Sequence, residues 1–234
     1  MLGERVKMVA HRGFNLYETE NTCAAFVAAG NRSHFGIETD IHVTKDGEFV
    51  IIHDDRTGRV AGDDLCVEET CLETLRGIRL LDKDGKKGRK DLMMPVLAEY
   101  LSICKRYGKT AVLEFKNHFS PEDTDRVIEL IRGMDYMDRM VFISFDLPNM
   151  ICLREKLPEA KLQFLTKVYT DDLEETLQKY RLDLDIKHVA ITKERVSRLH
   201  ELGIEVNVWT VDTEELAERM IDYGVDYITT NCLE

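Results

Sequence analysis

A (β/α)8 TIM barrel is the α/β fold this sequence predicts, and three observations predict it. Nine short runs rich in branched and aromatic residues recur along 234 residues, most of them separated by stretches of helical periodicity. Those stretches open on capping residues and close on glycines. The length suits a single α/β barrel domain over residues 1–234, with 44% apolar residues to fill its core. Successive βαβ units are right-handed, and a series of them closes into a barrel. An open doubly wound sheet is the competing arrangement.

The strand-like runs fall at 6–10, 36–43, 49–53, 111–115, 140–145, 161–166, 188–191, 204–210 and 226–230. Nine is one too many for eight positions. Only Thr44-Lys45-Asp46-Gly47-Glu48 separates Val43 from Phe49, too short for a parallel crossover, so the run at 49–53 is expected to return through an Asp-Gly hairpin or bulged turn. Helix starts are expected at Ser120 before Pro121, at Asp171 with Glu174, at Thr192, and at Asp212 with Glu215. Gly30, Gly108, Gly203 and Gly224 sit where left-handed C-terminal caps belong. The polar segment 55–95 after the third run breaks the rhythm. A structureless loop of that size is rare in a compact domain, so it is expected to form a small inserted lid or subdomain, with the basic cluster at 86–90 as a solvated hairpin tip.

Charge and composition narrow the function. A formal net charge of −12 argues against nucleic acid or an anionic membrane surface as the main partner, since both attract Lys and Arg patches. The first ten residues lack the apolar core of a signal peptide, and no run of about 18 apolar residues occurs, so a cytoplasmic protein without stable membrane insertion is expected. The six cysteines show no metal-ligand spacing and are expected as free thiols. A homo-oligomer is kept among the partners considered; no residue pattern decides it.

The chemistry gathers at the polar ends of apolar runs. Glu38 and Asp40 are two apart on one predicted strand, so their carboxylates face the same side. Two carboxylates on one barrel-facing side need a cation or a shared proton, which points to a divalent site of hard oxygen ligands, Mg2+ or Ca2+. Glu114 ends a third run with Lys116 on the same face, adding a third oxygen ligand and an ammonium for phosphate. The competing reading is a solvated surface alternation. His11 and His53 end two runs that flank this pair and are the candidate proton donor and acceptor. Arg12 offers a fork that fits phosphate oxygens, and Gly13 permits close backbone approach. His34, His42, His118, His188 and His200 lack such company and are expected as structural or surface residues.

Taken in order, His11-Arg12-Gly13, Glu20-Asn21-Thr22 with Ala25-Phe26, Glu38-x-Asp40-Ile41-x-x-Thr44-Lys45-Asp46-Gly47, His53-Asp54, Glu114-Phe115-Lys116 and Trp209-Thr210 resemble the glycerophosphodiester phosphodiesterase family along nearly the whole chain. The resemblance implies a phospholipase-C-like phosphodiesterase barrel in which Glu38, Asp40 and Glu114 bind a divalent cation and His11 and His53 act as acid and base. It also implies that Arg12 and Lys116 hold phosphoryl oxygens, that Glu20 lies at the site's edge, and that Trp209 walls the alcohol pocket. The implied reaction is hydrolysis of a small phosphodiester, such as glycerophosphocholine or glycerophosphoethanolamine, to glycerol 3-phosphate and an alcohol. Thr19, Thr57 and the closing Thr230-Asn231-Cys232-Leu233 depart from the usual pattern, and the last removes a charge at a strand end near the barrel mouth. Two alternatives stay open: a lysophospholipid or phosphoinositide-type phosphodiesterase on the same barrel, and a non-catalytic glycerophosphodiester-binding protein.

Overall fold

The computed structural model describes residues 2–234, so Met1, the first residue of the expected domain, lies outside them. In chain order the strands are β1 (Lys7–Ala10), β2 (Gly36–Val43), β3 (Phe49–Ile51), β4 (Thr110–Phe115), β5 (Met140–Ser144), β6 (Lys161–Thr166), β7 (Asp183–Lys187), β8 (Val206–Trp209) and β9 (Tyr227–Thr230). All but β3 are parallel and form a closed ring, because β1 pairs with β2 on one side and with β9 on the other. That closure excludes the open sheet. Helices α1 (Cys23–Gly30), α2 (Gly58–Ala61), α3 (Leu72–Gly77), α4 (Leu97–Tyr107), α5 (Pro121–Gly133), α6 (Leu147–Lys156), α7 (Leu173–Tyr180), α8 (Lys193–Glu201) and α9 (Glu214–Tyr223) fill the connections. No helix among the described residues is long and apolar enough to cross a membrane.

The period of two along each strand sorts its side chains between two layers. Met8, Ile37, Ile41, Leu113, Phe115, Phe142, Leu184 and Ile186 face outward and pack with the helices in the large core. Val9, Val112, Val141, Ile143, Leu165 and Tyr227 form a separate inner cluster. Glu38 and Asp40 share the parity opposite to Ile37 and Ile41, and Glu114 shares that of Val112, so all three carboxylates point into the barrel.

β3 runs antiparallel to β2, pairing Phe49 with Val43 and Ile51 with Ile41, so the surplus run is the expected hairpin. Gly47 takes φ +79° at its turn. The other strand expectation at fault is 188–191. The barrel strand is β7, and His188–Ala190 is a 3-10 turn on which Val189 is 69% exposed. The sequence Asp183-Leu184-Asp185-Ile186-Lys187 alternates apolar residues outward with acids inward, and acids are depleted in strands, which hid it.

Caps correct three more expectations. Ser120 and Thr192 accept from the backbone of Asp123 and Arg195, as predicted. α9 is capped by Thr213, whose hydroxyl accepts from Leu216, while Asp212 turns to the barrel mouth; the cap of α7 is Asp172 and not Asp171. Gly30 is the last residue of α1, with no positive φ; a Cβ there would lie 2.6 Å from the Tyr107 ring, so close packing explains it. Gly108, Gly203 and Gly224 do take positive φ at their helix ends.

The 55–95 segment is packed. Val60, Ala61, Val67, Leu75, Leu80, Leu92 and Met94 close a small apolar cluster over Val50 and Ile52 of the hairpin. Its basic tip is an exposed turn closed by Asp82 N–H to Lys86 C=O at 2.9 Å. Arg89 folds back to Glu18 and Asp91 at 2.6 and 2.7 Å.

Candidate active site

The site lies at the C-terminal mouth of the barrel, where loops can vary without disturbing the scaffold. A cavity there is lined by His11, Arg12, Glu38, His53 and Glu114 on one side, and by residues of β5 to β9, including Asp185 and Trp209, on the other. Glu38, Asp40 and Glu114 each offer an oxygen, all three within 4.8 Å of one another. Asp40 and Glu114 sit side by side in register on β2 and β4.

The cluster is buried and charged, so its compensation decides what it can hold. Asp40 is fully buried. Asn21 Nδ2 donates to its Oδ2 at 2.7 Å, Arg12 Nε stands 3.6 Å from the same oxygen, and Lys116 Nζ lies 3.4 Å from Oδ1. Burial works against its charge, but Lys116 and Arg12 outweigh it and hold Asp40 well below the usual carboxylate range. Glu38 goes the other way: burial, then the charges of Asp40 and Glu114, push it well above that range although Arg12 N–H donates to its Oε2 at 2.8 Å. Glu114, to which Lys116 donates at 2.8 Å, is raised to about 7 by burial and by Asp40. Three ionised carboxylates facing two cations would leave one negative charge uncompensated in a low-dielectric pocket. Asp40 Oδ1 also has no hydrogen-bond partner despite complete burial. A hard divalent cation supplies both the charge and the missing contact, so the donor set fits one.

Local backbone geometry aims these groups. Arg12 takes φ +55° and Gly13 +78°, and a Cβ on Gly13 would come within 2.7 Å of the Ala25 backbone of α1. The glycine therefore lets the turn press against α1, not against a ligand. Asn21, also at positive φ, donates its backbone N–H to Arg12 C=O, and its side-chain oxygen accepts from Thr39 Oγ1. Arg12 Nη1 donates to Glu20 at 2.8 Å, which places Glu20 at the edge; Arg12 Nε has no hydrogen-bond partner.

The two histidines have unlike supports. His11 Nδ1 lies 2.8 Å from Asn231 Oδ1, an oxygen that also accepts from Asn15. Asn231 is itself fixed by Asp212, to which its backbone N–H and its Nδ2 donate at 2.8 and 2.6 Å. An amide oxygen only accepts, so the hydrogen resides on His11 Nδ1 and Nε2 is left with a lone pair. Burial, then Arg12, lowers His11 to about 4. His53 Nδ1 instead faces a carboxylate, Asp54 Oδ1, at 2.6 Å. Asp54 is locked by Arg59, whose Nε donates at 2.6 Å and which also binds Glu20. Burial lowers His53 as well, though Asp40 and Asp54 oppose it.

Every residue singled out in the sequence thus falls in one neighbourhood: Lys116 contacts Asp40 and Glu114, and Trp209 lines the cavity. The remaining histidines are elsewhere: His34 contacts Leu233 C=O, His42 lies beneath the His53 backbone, His118 and His200 contact Asp146 and Asp226, and His188 approaches Trp209 C=O. Asn231, Asp212, Arg59 and Asp185 were passed over. Asn231 was visible only as a departure at the chain's end, and the others lie in segments that carry no motif.

Comparison with known proteins agrees with this geometry. The model of the Glycerophosphoryl diester phosphodiesterase family matches residues 11–234. A glycerophosphodiester phosphodiesterase of Bacillus altitudinis is 30% identical over 232 residues, covering 96% of this chain and 94% of the relative. One from Caldanaerobacter subterraneus subsp. tengcongensis is 28% identical over 227 residues, covering 96% and 93%. Among solved structures, a glycerophosphodiester phosphodiesterase from Parabacteroides distasonis aligns with TM-score 0.81 at 26% identity over 97% of this chain and 93% of its own. An Oleispira antarctica phosphodiesterase in complex with the product sn-glycerol-3-phosphate shares the fold at TM-score 0.89 and 24% identity, over 96% and 92%. With a family match over almost its whole length, the chain belongs to the glycerophosphoryl diester phosphodiesterase family.

Proposed function

We propose that this chain hydrolyses glycerophosphodiesters such as glycerophosphocholine and glycerophosphoethanolamine to glycerol 3-phosphate and an alcohol, in a reaction that requires a divalent cation, Mg2+ or Ca2+. The observation that carries the reading is the cluster of three buried carboxylates, two of which line one cavity together with Arg12 and two differently supported histidines. The product named for the Oleispira antarctica structure fits it. The chain is read as one catalytic unit, with 55–95 as a packed rim element that steers Arg59 onto Asp54.

Glu38, Asp40 and Glu114 would hold the cation, which supplies charge stabilisation at a phosphoryl oxygen when bound. Arg12 and Lys116, which flank the carboxylates, orient the phosphoryl group and balance the charge that grows there. His11 serves as the base: its Nε2 takes the proton of the attacking oxygen, from water or from the substrate's own glycerol hydroxyl, and in the second case water then opens the cyclic phosphate to glycerol 3-phosphate. His53, backed by the Asp54 carboxylate, returns a proton to the departing alkoxide as the P–O bond breaks. Replacing His11 or His53 with Ala should lower turnover at least about 10²-fold with the fold retained. Wild-type rates in either variant would remove that histidine from the mechanism.

One observation favours lysophospholipid as a second substrate class. Leu16 and Tyr17 after β1, Phe145 after β5, Val168 after β6 and Val189 after β7 are large apolar side chains left exposed, all on loops at the catalytic mouth. Such a rim suits an acyl chain leaving the cavity. Turnover of lysophospholipid above that of glycerophosphocholine would establish it.

A further inference from the structure

Across the cavity from the three carboxylates stands a group the reaction above does not use. Asp185 lies on β7, faces inward and is only 2% exposed. It lines the same cavity as Glu114, and its Oδ1 is fully enclosed with no hydrogen-bond partner. No side-chain hydrogen bond or ion pair reaches it among the described residues, whereas inner-face neighbours of similar polarity satisfy one another: Asn207 donates to Gln163, and Thr229 donates to Asn207, each at 3.2 Å. Asp185 is in register with Asn207 on β8, so Trp209, two residues on, stands on the same inward face one step nearer the mouth. Trp209 Nε1 is likewise enclosed and unpartnered. Ile143, Leu165 and Phe145 supply apolar surface to the same cavity.

A buried acceptor and a buried donor left without partners destabilise the fold unless a ligand completes them. Burial, then the charge of Glu114, also pushes the Asp185 carboxyl well above its ordinary range, which favours the protonated form, able both to donate and to accept. An alcohol is the ligand that matches a donor–acceptor pair of this kind. An ammonium would require an ionised carboxylate, and a second anion would meet no cation here.

We propose that Asp185 and Trp209 Nε1 form a hydroxyl-recognition pole that binds the terminal hydroxyl of the substrate's glycerol moiety, making Asp185 a specificity-determining residue. The inference rests on the phosphodiesterase reading above. It places the invariant glycerol end against the enclosed wall and sends the variable alcohol toward the open mouth. The hydroxyl next to the phosphoester is left free for the chemistry.

The test compares glycerophosphocholine with 2-hydroxypropyl phosphocholine, which lacks only the terminal hydroxyl. Wild-type protein should favour the glycerol substrate at least about tenfold in kcat/KM, because a site built to bond a hydroxyl rejects the analogue lacking it. Asp185→Asn, a neutral group of the same shape, should keep most of that preference, while Asp185→Leu should bring the ratio of the two substrates near one. Circular dichroism and melting would establish that each variant is folded. Turnover of both substrates by wild type without preference would overturn the proposal, as would a preference that survives in folded Asp185→Leu. Should that variant not fold, the wild-type ratio and the separate inhibition constants of glycerol 3-phosphate and 2-hydroxypropyl phosphate still decide it. No turnover of either diester under any divalent cation would instead overturn the phosphodiesterase reading, and the proposal with it.

Discussion

The two histidines rest on unlike neighbouring atoms, and the proposed division of base and acid between them follows that difference. His11 rests on an amide and His53 on a carboxylate, and an amide gives no charge to stabilise an imidazolium. With His11 lowered to about 4, it is neutral across the physiological range and ready to accept a proton. Changing Asn231 to Asp would put a carboxylate on Nδ1, stabilise the protonated ring and raise this pKa. Protonation of the base would then set in at higher pH. The acidic limb of the kcat/KM profile should therefore move upward by about one unit or more, with the alkaline limb unmoved. An acidic limb in the same place would detach Asn231 from the control of His11. The sequence showed the histidines but not this difference: Asn231 lies 220 residues from His11 and meets it only because β9 pairs with β1.

At the scale of elements, most of the barrel was legible because strands buried on both faces are rich in apolar residues, and β1, β4 and β5 read as nearly continuous apolar runs. β7 did not, since its inward positions carry Asp183 and Asp185, and the neighbouring run at 188–191 imitated a strand in composition alone. The same substitution of polar for apolar on the inner face marks the proposed hydroxyl pole, so the misread element and the uncommitted acid are one feature. Element ends followed similar logic. Thr213 took the cap expected of Asp212 because Asp212 is engaged with Asn231, a contact that appears only once the loops after β8 and β9 meet. The Asp-Gly hairpin needed no such tertiary information: five residues between two apolar runs left it no other geometry.

For the whole molecule, the buried acidic cluster stores repulsion that a bound cation relieves, so occupancy should show as stability. A ligand that binds only the native state at about 100 times its Kd adds about 2.7 kcal/mol, which for a chain of this length raises the melting temperature by about 5–10 °C. Adding Mg2+ or Ca2+ to chelator-treated protein should give a rise of that order, and Glu114→Gln should lose most of it. Equal melting temperatures with and without cation would remove the three carboxylates from the role of ligands. The net charge of −12 attracts cations in general, but the specific rise belongs to the cluster, and the Glu114 variant separates the two.

The central claim, that this barrel is a cation-dependent glycerophosphodiesterase, is tested most directly by following glycerol 3-phosphate released from glycerophosphocholine by purified protein, with Mg2+, with Ca2+ and with excess chelator. The structure predicts release with at least one of the cations and its loss in chelator, restored when the cation is returned. Release undiminished by chelator would contradict the role given to Glu38, Asp40 and Glu114, and no release from folded, cation-loaded protein would contradict the activity itself.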